Sequence, residues 1–355
     1  MAKSVFNGVR IAGVAGAVPG QRVDNLTDHL FLPEADRKKI VALTGVNGYR
    51  RAPEGVCTSD LCHTAATALF DGLGRQPDQI DAVVFATMTP DYRIPSTACV
   101  LQDRLALPQS VVAYDVNMGC SGFIVGLYNA CALIKGAGLR RVLVLAGDTQ
   151  TKLCHDEDKT VVFIMGDAGT ATIVESDPDA GDIVMEVRTD GSRFESLYVP
   201  AGGFRRPSTA ETREVRERAD GGLRSDDDLV MNGMEIFKFA VSDVVKTISG
   251  FMEEEQLSAE NVKSLFLHQA NKFMNDKIGK KLGFSPDQVP YTIQSFGNTG
   301  SASIPMTIAS HFSSGDDAEA GGRAVMCGFG VGLSWGVATA DLTGVYSPPI
   351  VELGT

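Results

Sequence analysis

The feature that most restricts this chain is an order of elements that occurs twice. In the first half, an apolar run at 81–87 is followed by a helix-like stretch and a β-branched run at 111–116. That run enters Gly119-Cys120-Ser121-Gly122 and then an apolar helix. In the second half, a run at 264–267 is followed by a helix-like stretch at 271–282 and a run at 291–295. The chain then enters Gly297-Asn298-Thr299-Gly300 and another helix-like stretch at 301–311. Each half closes on a glycine-rich strand pair, at 166–170 and at 328–332. The echo lies in the order of elements, with little residue identity.

The runs at 83–86, 111–114, 142–146 and 171–174 are short, β-branched and bounded by turn residues, and predict buried strands. The stretches 99–105 and 122–135 predict helices. Strands alternating with helices give an α/β layered architecture. Two similar halves, 1–180 and 181–355, are expected to meet where Asp177-Pro178-Asp179-Ala180-Gly181 supplies turn chemistry. The stretch 200–228 breaks the pattern, being charged and without apolar periodicity. It reads as a surface excursion, either a lid over a site or a solvated insertion.

Composition narrows the function. The 355 residues suffice for a large buried core. The net charge of −12 opposes nonspecific nucleic-acid binding, which needs a basic footprint. Seven cysteines, an odd number in a long chain, do not suggest a disulfide framework, and with the five histidines they form no zinc spacing, so no metal is expected. No run of eighteen or more residues reads as apolar and uncharged, which predicts no membrane span. The first residues carry no signal-peptide block, which predicts a cytoplasmic protein.

Three residues stand at matched strand–helix junctions. Cys120 is expected on a tight turn at a helix N-terminus, where the dipole and free N–H groups lower a thiol pKa and favour the nucleophilic thiolate. Flanking glycines permit the strained turn of a nucleophile elbow. The competing reading is a small buried hydrophobe. His268 follows the strand-like Leu265-Phe266-Leu267, where α/β proteins place ligands, although a structural histidine fits the same place. Asn298 alone would be a helix N-cap. Together, the three would face one another across a shared centre.

The segments around these residues carry a resemblance. Cys120 in NMGCSGF, His268 in LHQAN and Asn298 in GNTGSAS resemble the Cys-His-Asn triad of the ketoacyl-acyl carrier protein synthase III family. Residues 231–238, 166–169 and 328–336 add to it, so that it spans nearly the whole chain. The resemblance implies the thiolase fold, two βαβαβαββ halves in a five-layered αβαβα arrangement, and a homodimer. Degradative thiolases differ in carrying GHPxG where this chain has Gly297-Asn298-Thr299-Gly300, and chalcone-synthase-like enzymes carry HPGG where it has His268-Gln269-Ala270-Asn271. Cys327 stands one residue away from the place of the second thiolase cysteine and lacks its partner histidine.

The implied chemistry is a decarboxylative Claisen condensation. Cys120 would take the acyl group from a CoA or phosphopantetheine thioester, with the backbone N–H groups of Cys120 and Val331 as oxyanion hole. His268 and Asn298 would stabilise the enolate left when a malonyl-acyl carrier protein loses CO₂, giving a 3-oxoacyl thioester for fatty acid or specialised polyketide synthesis. The resemblance also assigns Ile94, Lys152, Phe237 and Asn271 to substrate binding, with no permanently bound cofactor. Departures concern the carrier. Lys39, Leu43 and Lys152 stand where family members carry a tryptophan and arginines against CoA, and Phe273 replaces a docking arginine. Ile94 replaces a phenylalanine that closes the acyl pocket across the dimer. Lys272, Lys277, Lys280 and Lys281 gather on one helix, either a basic face for an acidic carrier protein or an ordinary solvated face. Two other functions fit less well: transfer of the Cys120 acyl group to an alcohol or amine without decarboxylation, and a noncatalytic binding subunit.

Overall fold

The computed structural model describes residues 3–313 and 321–354. The strands of its two large sheets are β1 (Lys3–Phe6), β2 (Val9–Pro19), β3 (Ala82–Ala86), β4 (Val112–Val116), β5 (Arg141–Asp148), β6 (Ala168–Ser176), β7 (Ile183–Thr189), β8 (Ser264–Leu267), β9 (Arg323–Gly330), β10 (Ser334–Asp341) and β11 (Val351–Leu353). One sheet runs β11-β2-β6-β5-β3-β4 and the other β1-β7-β10-β9-β8. Within them, β2-β6-β5-β3 and β7-β10-β9-β8 have the same order. In both sets the first three strands are antiparallel neighbours and the last pair is parallel.

Five helices define the layers: α1 (Thr58–Leu73), α2 (Gly122–Ala137), α3 (Val245–Glu254), α4 (Lys272–Lys281) and α5 (Ser303–Phe312). Helices α2 and α5 lie between the sheets, touching β3 and β5 or β2 and β6 on one side and β9 on the other. Helix α1 covers the outer face of the first sheet, and α3 packs on β10 from outside the second. This is the αβαβα thiolase-type sandwich. Strands covered on both faces read as continuous apolar runs, and all five residues of β3 are buried. The helix turns Gly119–Ala137 form the one segment, among the described residues, long and apolar enough by composition to cross a membrane. Here it is a core element. Phe123, Ile124 and Leu127 are fully buried between the sheets, each contributing roughly 1.5–3 kcal/mol.

Three features differ from the expected pattern. The terminal strands are exchanged, since β1 pairs with β7 in the second sheet and β11 pairs with β2 in the first. The run at 291–295 is not a strand. Ser295 and Phe296 donate to the Thr292 carbonyl, forming a helical turn (Ile293–Phe296) that ends at Gly297 with φ of 67°. The second sheet therefore ends at β8. The excursion at 200–228 is ordered by ion pairs. Asp226 accepts from Arg206 and Arg218, and buried Arg224 meets fully buried Asp158 at 3.1 Å. Its flanks, Leu197, Leu229 and Met231, line a cavity.

Candidate active site

That cavity lies where the two inner helices begin. Each inner helix is preceded by a tight 3-10 turn, Gly119–Ser121 before α2 and Gly300–Ala302 before α5, and the two turns touch. The first turn needs glycine at 119. Its φ is 49°, and a Cβ there would come within 2.9 Å of Met88 Sδ and Val331 Cβ. Ser121 ties the turn down, its hydroxyl donating to the Met118 carbonyl at 2.9 Å and meeting Ser334 Oγ at 2.6 Å. Cys120 is thereby set at the cavity wall with only 4% of its surface exposed. Strand β9 crosses it so closely that a Cβ at Gly330 would lie 2.7 Å from its sulfur.

The backbone N–H groups of Val331 and of Cys120 itself face the sulfur and favour its anionic form. Burial outweighs them and pushes the Cys120 thiol up to about 12. The lowered thiol pKa expected from the helix N-terminus is therefore not found. At rest the residue is a neutral thiol.

His268 continues β8, its backbone N–H donating to the Cys327 carbonyl at 2.8 Å. Its own carbonyl accepts from Asn275 Nδ2 at 3.0 Å. The ring is fixed on its far side, with Nδ1 2.7 Å from the fully buried Ser303 Oγ, and Phe329 stands edge-on at 5.4 Å. Burial lowers the imidazole to about 3, against a weaker pull from a backbone hydrogen bond with Gly300, so the ring is neutral. Asn298 is held through its backbone, donating to the Ile164 carbonyl at 2.8 Å and accepting from Gly166 N–H at 2.9 Å. Its Oδ1 accepts from Gly300 N–H at 2.9 Å. The Nδ2 amide is then the group Asn298 can offer to the cavity it lines.

Cys120, His268, Asn298, Val331 and Asn271 all line this one cavity, whose remaining wall is mostly apolar, including Leu153, Ile164 and Ile236. Asn271 also caps α4, accepting from Met274 N–H at 2.7 Å. Other expected site residues lie elsewhere. Ile94 is 86% exposed on the loop after β3. Lys152 donates to the Val56 carbonyl at 2.5 Å in a separate groove with Arg51 and His155. Phe237 stacks on Phe273 with centroids 5.9 Å apart, one residue beyond the cavity residue Ile236. On α4, Lys272 pairs with Asp276 at 2.9 Å and Lys281 donates to the Val241 carbonyl at 2.8 Å. Lys277 lies over the Phe273 ring at 5.1 Å. Lys280 lines a groove beside Tyr291. Cys327 is a buried strand residue whose thiol burial pushes up.

Sequence reasoning passed over Asp148 and Ser303. Asp148 is visible as an acid at the end of the apolar run 142–146, and Ser303 as the last residue of GNTGSAS. Among the described residues no group of three or more His, Cys, Asp or Glu could hold a metal ion.

The fold and this cavity define a condensing-type enzyme of the thiolase fold. Residues 114–191 match the model of 3-oxoacyl-[acyl-carrier-protein] synthase III, and residues 252–342 match the model of its C-terminal part. The beta-ketoacyl-[acyl-carrier-protein] synthase III of Rhodopirellula baltica is 32% identical, over 94% of this chain and 98% of its own. The crystal structure of a 3-oxoacyl-(acyl-carrier protein) synthase from Burkholderia xenovorans superposes with a TM-score of 0.91 at 36% identity, covering 99% of each chain. The priming beta-ketosynthase of the R1128 polyketide pathway gives 0.82 at 26%, over 97% of this chain and 98% of that one. The chain belongs to the 3-oxoacyl-[acyl-carrier-protein] synthase III family.

Proposed function

We propose that the protein joins an acyl thioester to a malonyl thioester by decarboxylative Claisen condensation. The observation that carries this reading is the convergence of a thiol, two backbone N–H groups and two neutral side-chain donors on one largely apolar cavity.

In the first half-reaction Cys120 Sγ attacks the thioester carbonyl, and its proton leaves with the departing thiol. The N–H groups of Cys120 and Val331 hold the oxyanion. Because the resting thiol is neutral, its proton is given up as the substrate thioester is engaged. In the second half-reaction the malonyl carbonyl oxygen sits between His268 Nε2 and Asn298 Nδ2. We assign the Ser303 hydroxyl as donor to Nδ1, which places the ring proton on Nε2. As CO₂ departs, the two donors stabilise the enolate, whose carbon then attacks the Cys120 acyl carbonyl. The Cys120 S–C bond breaks, the 3-oxoacyl thioester is released, and the Cys120 thiolate takes up a proton from water to restore the resting thiol. Uncharged donors suit a site where anionic charge develops, since a carboxylate there would repel it.

The malonyl group arrives on an acyl carrier protein that docks near α4, and the acyl group on CoA or a carrier. Asn271 and Phe237 flank the pantetheine arm, and Lys152 meets phosphate. The chain works as a homodimer through the edge strand β4, with Ile94 reaching the partner's acyl pocket. Cys120→Ala tests the nucleophile. Intact-mass measurement after incubation with a panel of acyl-CoAs is expected to show acyl gain on the wild type and none on the variant. Acyl gain by the variant would remove Cys120 from the role.

A further inference from the structure

Asp148, at the end of β5, is a fully buried carboxylate one layer behind the cavity wall. Its oxygens serve two separate segments. Oδ1 accepts from Met88 N–H at 2.7 Å and from Thr87 Oγ1 at 3.2 Å, at the end of β3. Oδ2 accepts from Ser301 N–H and Ser301 Oγ, both at 2.8 Å, in the loop that carries Asn298. Gly300 lies against the same oxygen, in the space a Cβ would need, and its N–H orients Asn298 by donating to Oδ1.

We propose that Asp148 is a positioning residue: it fastens the Asn298 loop to the strand end that carries Met88, and so aims the Asn298 amide at the developing enolate. This rests on the role given to Asn298 above. Two observations separate it from other roles. The negative charge of Asp148 disfavours the Cys120 thiolate, so the carboxylate does not activate the nucleophile. Burial raises Asp148 to about 6, which leaves it ionised and accepting from all four donors at neutral pH. A neutral amide cannot replace it. An Asn at 148 sets an NH₂ against either the Ser301 or the Met88 N–H, and one of the two segments loses its anchor.

The test separates the half-reactions. CO₂ release is followed with malonyl-CoA labelled at the free carboxyl, and Cys120 acylation by intact mass with an acyl-CoA. Asp148→Asn is expected to slow CO₂ release by about tenfold or more while acylation stays within about twofold. In an Asn298→Ala background the same substitution is expected to change CO₂ release by less than about twofold, because its path of action is already gone. Ser301→Ala, which removes one of the four bonds together with the hydroxyl's 3.1 Å contact to the Ala86 carbonyl, is expected to move CO₂ release the same way by a smaller factor, and it decides the matter if Asp148→Asn does not fold. Unchanged CO₂ release, an equal fall in acylation, or independent losses in the double variant would overturn the inference. Normal CO₂ release by Asn298→Ala alone would instead remove the reading on which it rests.

Discussion

Cys120 shows how far a residue can be read from its neighbours in the chain. Its turn, its helix and its place opposite His268 and Asn298 follow from local motifs. Its protonation does not, because β9 and β10, two hundred residues later, supply the burial that pushes the thiol up to about 12. The reactive form is the thiolate, so its fraction in the free enzyme rises tenfold with each pH unit until the thiol pKa is reached. Alkylation of Cys120 by iodoacetamide, followed by intact mass, is therefore expected to accelerate about tenfold per unit from pH 7 to 9. A plateau below pH 8 would mean a thiol already ionised at rest. Asp148 and Ser303 were illegible for a related reason. Each acts through partners far away in sequence, and each looks like an ordinary small polar residue in its own segment.

Among the elements, periodicity located what a strand or helix buries along its own length. It found β3, β5, β6 and α2 to within a few residues because each is apolar on all covered sides. It misread 291–295, where Tyr291-Thr292-Ile293 looks β-like but Thr292 closes a helical turn. It could not see that β1 and β11 cross into the sheet of the other half, since pairing partners leave no mark on strands of four and three residues. The excursion had no apolar period because charge pairs hold it. Its central contact joins Arg224 to Asp158, both withdrawn from water. Arg224→Ala leaves the Asp158 carboxylate buried without its cation, a loss of about 3–5 kcal/mol for pairs of this kind. Guanidinium unfolding is expected to show a destabilisation of that order, and a change below about 1 kcal/mol would mean the excursion is held by other contacts.

For the whole molecule, the net charge of −12 makes any encounter with an acidic carrier protein unfavourable except at a local basic face. On α4 Lys272 is partly neutralised by Asp276 and the Lys281 ammonium is tied to the Val241 carbonyl, so the docking proposed above would draw chiefly on Lys277 and Lys280. Acylation or condensation with carrier-bound substrates is expected to slow as salt rises and to slow further in Lys280→Glu, with CoA-bound substrates affected much less. Equal salt dependence for both carriers would place docking elsewhere. The central claim is more basic: the cavity forms a carbon–carbon bond at the cost of CO₂. The direct measurement supplies a preferred acyl donor and a malonyl carrier protein labelled at the free carboxyl, and counts released CO₂ against 3-oxoacyl product. One CO₂ per product is predicted, with both slowed by about a hundredfold or more in His268→Ala and Asn298→Ala while each variant still gains acyl mass on Cys120. Acyl transfer to an acceptor with the label retained would contradict the account.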